Sequence, residues 1–125
     1  MDRKGSFFLE NCIFCKIIAG EVPAQIVYED EHVIAFNDIN PVAPVHVLVV
    51  PRLHIPTLND LESEHKEVIG NLMLAIKEVA RQQEIAEKGY RVILNCGSDA
   101  GQVVYHIHFH LLGGRQFGHN LGGKG

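Results

Sequence analysis

Three histidines spaced by single apolar residues, His106-Ile107-His108-Phe109-His110, constrain this chain more than any other feature of its sequence. The surrounding stretch, residues 103–112, is rich in β-branched and aromatic residues and reads as a strand. Strand side chains alternate between faces. His106, His108 and His110 should therefore share one face, with Tyr105, Ile107, Phe109 and Leu111 on an apolar face behind them. Neighbouring imidazoles on such a strand stand roughly 7 Å apart. Each imidazole carries a donor and an acceptor that need partners, so a row of three backed by a core-facing surface marks a site. Two chemistries suit it. Histidines at i and i+2 can share a metal ion. Alternatively, one imidazole attacks a phosphorus or acyl centre while its neighbours fix its tautomer and bind the departing charge.

The rest of the chain supplies a sheet for this strand to join. Residues 25–29 and 33–37 read as a hairpin about the charged turn Glu29-Asp30-Glu31-His32, and residues 46–50 as a nearly continuous apolar strand stopped by Pro51. The spacing of Val68, Ile69, Leu72, Met73, Ile76, Val79 and Ala80 predicts one long helix over 59–87, facing the sheet. Asn59 with Glu62 resembles a capping box at its start, and Gly89 ends it. A short helix over 11–20 has Asn11 to cap its start and Gly20 its end. Residues 90–95 form a further strand. The order implies an α+β fold: an antiparallel sheet of about five strands, with one long and one short helix packed on one face.

At 125 residues the chain is one domain with room for a core. Residues 1–10 read as a loose arm, 11–116 as the domain, and the glycine-rich 117–125 as a flexible tail. A net charge of −4 without a basic run excludes a nucleic-acid partner reached through phosphates. No apolar run is long enough to span a membrane, and the first residues lack the apolar core of a signal peptide. Three cysteines, two of them in Cys12-x-x-Cys15, point to metal or redox use in a reducing compartment, so a cytoplasmic protein is expected.

The run from His106 through Leu112 resembles the motif of the histidine triad (HIT) family, His-x-His-x-His-x-x with x apolar. Its continuation Gly113-Gly114-Arg115 is similar to the Hint branch of nucleoside phosphoramidases. This resemblance implies the HIT fold, a homodimer formed through the long helix and the strand before the histidines, and hydrolysis of purine nucleoside 5′-phosphoramidates. His108 would be the nucleophile and would form a nucleotidyl-histidine intermediate, with His106, His110 and, from the neighbouring strand, His46 supporting it. The loop before the triad contains Gly97 and Gly101, which allow backbone N–H groups to approach an anion closely. The resemblance assigns Asn95, Gln102 and Val103 to the phosphate, with Gly101 in the same loop. Asp38, a turn aspartate on spacing alone, matches the acid that binds both ribose hydroxyls. Ile13, Phe14, Phe36 and Ile39, core residues by type, match the walls around the base.

The same resemblance implies that no cofactor is needed for the chemistry and that a structural zinc is held by Cys12, Cys15, His54 and His106. On residue type alone His32, His65 and His119 are equally available, and two free thiols are the simpler reading. The sequence departs from the Hint pattern at Val103, where serine is usual, and in lacking a tail tryptophan. These departures imply a slow enzyme with an open leaving-group preference. They also keep three other readings in view: a dinucleoside polyphosphate hydrolase, a metalloenzyme using the histidine row as ligands, and a nucleotide-binding regulatory module with little turnover.

Overall fold

Val33–Asn37 and Val45–Pro51 are apolar at almost every position, so both faces of the strands they form must be covered. The computed structural model describes Leu9 and residues 11–121. It shows a helix α1 (Ile13–Ile18), strands β1 (Ile26–Glu29), β2 (Val33–Asn37) and β3 (Val45–Pro51), a helix α2 (Lys66–Gln82), and strands β4 (Arg91–Leu94) and β5 (Phe109–Gly113). The sheet is antiparallel throughout, in the order β1-β2-β3-β5-β4. The five strands and two helices match the expected fold class.

The helices do not share a face. Leu72, Ala75, Ile76, Val79 and Ala80 of α2 pack on Val33, Ala35, Val47, Val49, Phe109 and Leu111. Phe14, Cys15 and Ile17 of α1 pack on Ile34, Phe36, Leu48 and Val50, which are the alternate residues of the same strands. Strands apolar at both parities need a cover on each side, which the single-face expectation overlooked. Met73, expected to face the sheet, is 42% exposed, and Ala75 takes the inward position.

Element ends differ from the sequence expectations for identifiable reasons. Cys12, not Asn11, caps α1: its Sγ accepts the Cys15 N–H at 3.4 Å. Thr57, not Asn59, carries a capping box, closed with Asp60 around the single turn Leu58–Asp60. Extended Leu61 and a second turn, Ser63–His65, then delay α2 to Lys66. The helix stops at Gln82 because Glu84 adopts a positive φ of 61°, which returns Ile85 to the core. There Ile85 lies on Gly113, where an added Cβ would meet its Cδ1 at 2.6 Å.

The histidine strand is also shorter than expected. β5 pairs with β3 only from Val49↔Phe109 to Val45↔Gly113. Continuing the register would bring Pro51 opposite Ile107; proline has no N–H to give a ladder. The Pro51 carbonyl takes the His106 side chain instead, and Ile107 N–H turns to Ile55 O at 2.6 Å. The described part of the tail is tied down: the guanidinium groups of Arg91 and Arg115 lie 4.9 and 4.4 Å from the centroid of the Phe117 ring, and Arg91 Nη2 donates to Gly118 O at 2.7 Å. Residues 1–8, 10 and 122–125, which hold most of the expected arm and the end of the tail, lie outside the described residues.

Candidate active site

Strand pairing brings His46 and His110 together across the face that α1 partly covers. Register sets Leu48 opposite His110 and His46 opposite Leu112, so the two imidazoles are diagonal neighbours with ring centroids 5.2 Å apart. His108 lies 5.1 Å from His110, closer than the regular-strand spacing of the sequence expectation, because β5 begins only at Phe109. His106 has left the row. It is fully buried on the far side of Phe14, whose ring stands edge-on to His106 at 5.9 Å and to His108 at 5.0 Å. Tyr105, expected on the core face, is exposed.

Hydrogen bonds to the backbone assign the protons, since a carbonyl only accepts and an amide N–H only donates. His108 donates from Nδ1 to the His106 carbonyl at 2.8 Å, so its Nε2 carries a free lone pair. Val42 N–H donates to His46 Nδ1 at 3.1 Å, so the proton of neutral His46 is on Nε2. That nitrogen lies 3.0 Å from His110 Nδ1 and 3.4 Å from Asp38 Oδ2. Neutral His110, accepting at Nδ1, carries its proton on Nε2. The site thus presents one unprotonated and one protonated imidazole nitrogen side by side, which suits attack on a phosphorus and support of its oxygens. Burial keeps these rings neutral: it lowers His108 and His46, and pushes His110 down from 6.5 to about 4.

These rings open onto a cavity of about 590 Å³, within the range of small-molecule sites. Every residue expected at the catalytic and nucleotide sites lines it except His106 and Gln102. Asp38 stands at one side, its Oδ1 held by Asn40 N–H at 2.8 Å. Phe14 and Phe36, in edge-on contact at 5.4 Å, form part of an apolar wall. Ile39 is 90% exposed and Val103 85% exposed, so both flank the opening. Gln102 is buried and spent inside the loop: Oε1 accepts from Gly97 N–H, and Nε2 donates to Pro56 O and Val104 O. It shapes the loop and does not face the cavity. Gly97 and Gly101 both adopt positive φ, as their turns require. The sequence reading missed Ile17, which joins the wall one turn after Phe14; helical spacing from Ile13 and Phe14 would have found it.

A second cluster lies behind Phe14. Cys12, Cys15, His54 and His106 are all buried, and one ligand atom from each lies within 4.8 Å of the others. Cys12 Sγ is 3.5 Å and Cys15 Sγ 3.7 Å from His106 Nδ1; His54 Nδ1 is 3.3 Å from Cys15 Sγ and 3.1 Å from His106 Nδ1. His106 donates Nε2–H to Pro51 O at 2.8 Å, so its Nδ1 lone pair points inward. Burial pushes the Cys15 thiol up to about 11 and His106 down to about 4. Such donors, dry and convergent, could hold one cation, releasing the thiol protons as they do so. Asp38, His46 and His110 also converge, but there a hydrogen bond from His46 to His110 accounts for the approach. His32 pairs with Glu31 at the surface and His65 accepts Glu62 N–H, both away from the cysteines.

The family model for the HIT domain matches residues 19–117, most of the chain, beginning just after the cysteine pair. The chain belongs to the histidine triad family. This HIT protein is 50% identical over 116 residues to the purine nucleoside phosphoramidase of Escherichia coli K12, covering 93% of this chain and 98% of that one. Among solved structures, the HIT protein resembles a HIT family hydrolase from Clostridium thermocellum with a TM-score of 0.86 and 53% identity, covering 88% of this chain and 96% of that one. A HIT family hydrolase from Legionella pneumophila gives the same TM-score at 47% identity, over 88% of this chain and 98% of its own. The cavity and its imidazoles lie within the matched HIT region except for the contribution of α1.

Proposed function

We propose that this HIT protein hydrolyses purine nucleoside 5′-phosphoramidates through a nucleotidyl-histidine intermediate. One observation carries the reading: His108 Nε2, unprotonated, and His110 Nε2–H face the same cavity beside Asp38. The identity to the E. coli protein named a purine nucleoside phosphoramidase supports this substrate class. The base rests against Phe14 and Phe36, and Asp38 accepts the ribose hydroxyls in charge-assisted hydrogen bonds. His108 Nε2 attacks phosphorus, the P–N bond breaks as its nitrogen takes a proton from solvent, and the amine departs. Water then cleaves the phosphorus–Nε2 bond and releases the nucleoside monophosphate. A protonated amine leaves without a Lewis acid, so the scheme needs no cofactor. Val103, at the flank of the cavity opening, brings no hydroxyl to the phosphate, and turnover is expected to be correspondingly slow.

The test is incubation with adenosine 5′-phosphoramidate, with and without chelator, following AMP. Release of AMP in both arms supports the scheme. No release in either, with AMP still binding, would replace it with a nucleotide-binding role.

The buried cysteines and histidines hold a structural zinc on this reading. Zinc bonds of about 2.3 Å to sulfur and 2.0–2.1 Å to nitrogen give tetrahedral S···N edges near 3.5 Å and N···N edges near 3.3 Å. The distances given above, 3.3–3.7 Å and 3.1 Å, fit that donor set. A homodimer through α2 and the outer edge of β4 is also part of the proposal. β4 ends the sheet, and Met73, Leu74, Tyr90 and Val92 leave apolar surface exposed along this side. Light scattering coupled to gel filtration tests it. No helix among the described residues is long and apolar enough to cross a membrane. The unpaired Cys12 and Cys15 suit a reducing, cytoplasmic setting.

A further inference from the structure

The metal-ligand cluster and the nucleotide cavity are built on neighbouring residues of the same segments. Cys12 and Cys15 flank Ile13 and Phe14, both of which line the cavity. Phe14 meets His108 edge-on at 5.0 Å and 88°. His106 is shared more directly: its Nδ1 points into the cluster, while its carbonyl accepts His108 Nδ1–H at 2.8 Å. The residue that would hold the ion also decides which nitrogen of the nucleophile bears the lone pair. Ile107 N–H donates to Ile55 O, so the His54 and His106 segments are fastened side by side.

α1 has only six residues, far fewer than the about 12–15 that an isolated helix needs to persist in water. Its position depends on what it is tied to. Its first turn is capped by Cys12 Sγ, the sulfur that lies 3.5 Å from His106 Nδ1. With the four donors drawn onto one ion, α1, Phe14 and the His106 carbonyl share a common anchor.

We propose that occupancy of the Cys12–Cys15–His54–His106 centre and occupancy of the nucleotide cavity are thermodynamically linked, the ligand residues acting as positioning residues for Phe14 and His108. The inference rests on the nucleotide-binding reading above. Linkage is reciprocal: zinc raises AMP affinity by the same factor by which AMP raises zinc affinity, and couplings of this kind run about 5- to 150-fold.

The experiment measures AMP binding calorimetrically to zinc-loaded and to metal-free, reduced protein, and zinc affinity by chelator competition with and without saturating AMP. The expected result is at least about fivefold tighter AMP binding when loaded, with a matching change in zinc affinity. Phe14→Leu keeps an apolar wall and all four ligands, and should shrink the linkage factor while zinc stoichiometry stays unchanged. AMP affinities equal within about twofold in the two folded forms would overturn the proposal. So would a metal-free protein that unfolds outright by circular dichroism, since coupling would then run through the whole fold and not through Phe14 and His108. Loaded protein that does not bind AMP at all would instead remove the functional reading, and the linkage with it.

Discussion

His46 Nε2 lies 3.0 Å from His110 Nδ1, and the other nitrogen of His46 is held by Val42 N–H. This pair of contacts points the His46 proton at His110 and leaves the His110 proton for the cavity. His46→Leu removes that donor from a buried acceptor, a loss of about 1–3 kcal/mol. Felt in the transition state, this lowers kcat about 5- to 150-fold. His46→Gln, which retains an N–H, should recover part of the loss. Steady-state kinetics on one phosphoramidate, with AMP affinity measured alongside, check both variants; an undiminished kcat in His46→Leu would remove His46 from the mechanism.

His108→Ala should abolish turnover while AMP affinity changes by less than about tenfold, roughly 1.4 kcal/mol. Asp38 and the apolar walls remain, although Phe14 loses its edge contact with His108. Rapid-quench trapping of a nucleotidyl adduct in the parent protein, absent from the variant, is the direct measurement. An adduct on another residue would move the nucleophile.

Protein purified without added metal or chelator should carry about one zinc per chain, the capacity of one four-ligand centre. Cys12→Ser should release it and lower the thermal midpoint, because binding at such a centre is coupled to folding. The same substitution weakens the cap of α1, so elemental analysis and thiol titration accompany the melt. Metal near zero with both thiols freely reactive in the native protein would reject the site.

Acidification should destabilise the fold partly through His110. Burial lowers its folded value from 6.5 to about 4, so between these values the unfolded chain binds the extra proton and the folded one does not. Stability attributable to this group is therefore present above about pH 6.5 and falls as pH drops towards about 4, where the loss levels off. His110→Asn should flatten the dependence of the thermal midpoint over that window. A parallel profile for the two proteins would show that His110 titrates normally.

Gly113→Ala tests the contact behind β5. The new methyl would overlap Ile85 Cδ1, and overpacking of this kind costs about 1–3 kcal/mol. Combining it with Ile85→Val, which trims that side chain, should recover part of the loss in urea melts. Independent, additive effects would mean that the two residues do not touch.

Local sequence was enough to reveal the strands at 33–37 and 46–50 and most of the inward stripe of α2, because each is imposed by backbone geometry and burial. It did not reveal that α1 and α2 lie on opposite faces, although the apolar parity of Val33–Asn37 carried the clue. Element ends were decided by particular contacts: Thr57 with Asp60, Glu84 at positive φ, and Pro51 where a ladder donor was needed. Tertiary structure alone turned His106 away from His108 and His110. It also chose the nitrogens: Pro51 O accepts from His106 and so keeps that proton on Nε2, His106 O keeps the His108 proton on Nδ1, and Val42 N–H leaves the His46 proton on Nε2. An imidazole is the same residue in either tautomer, and which form it takes depends on a backbone group delivered by packing. For His106 that group lies 55 residues away in the chain, beyond the reach of any local pattern.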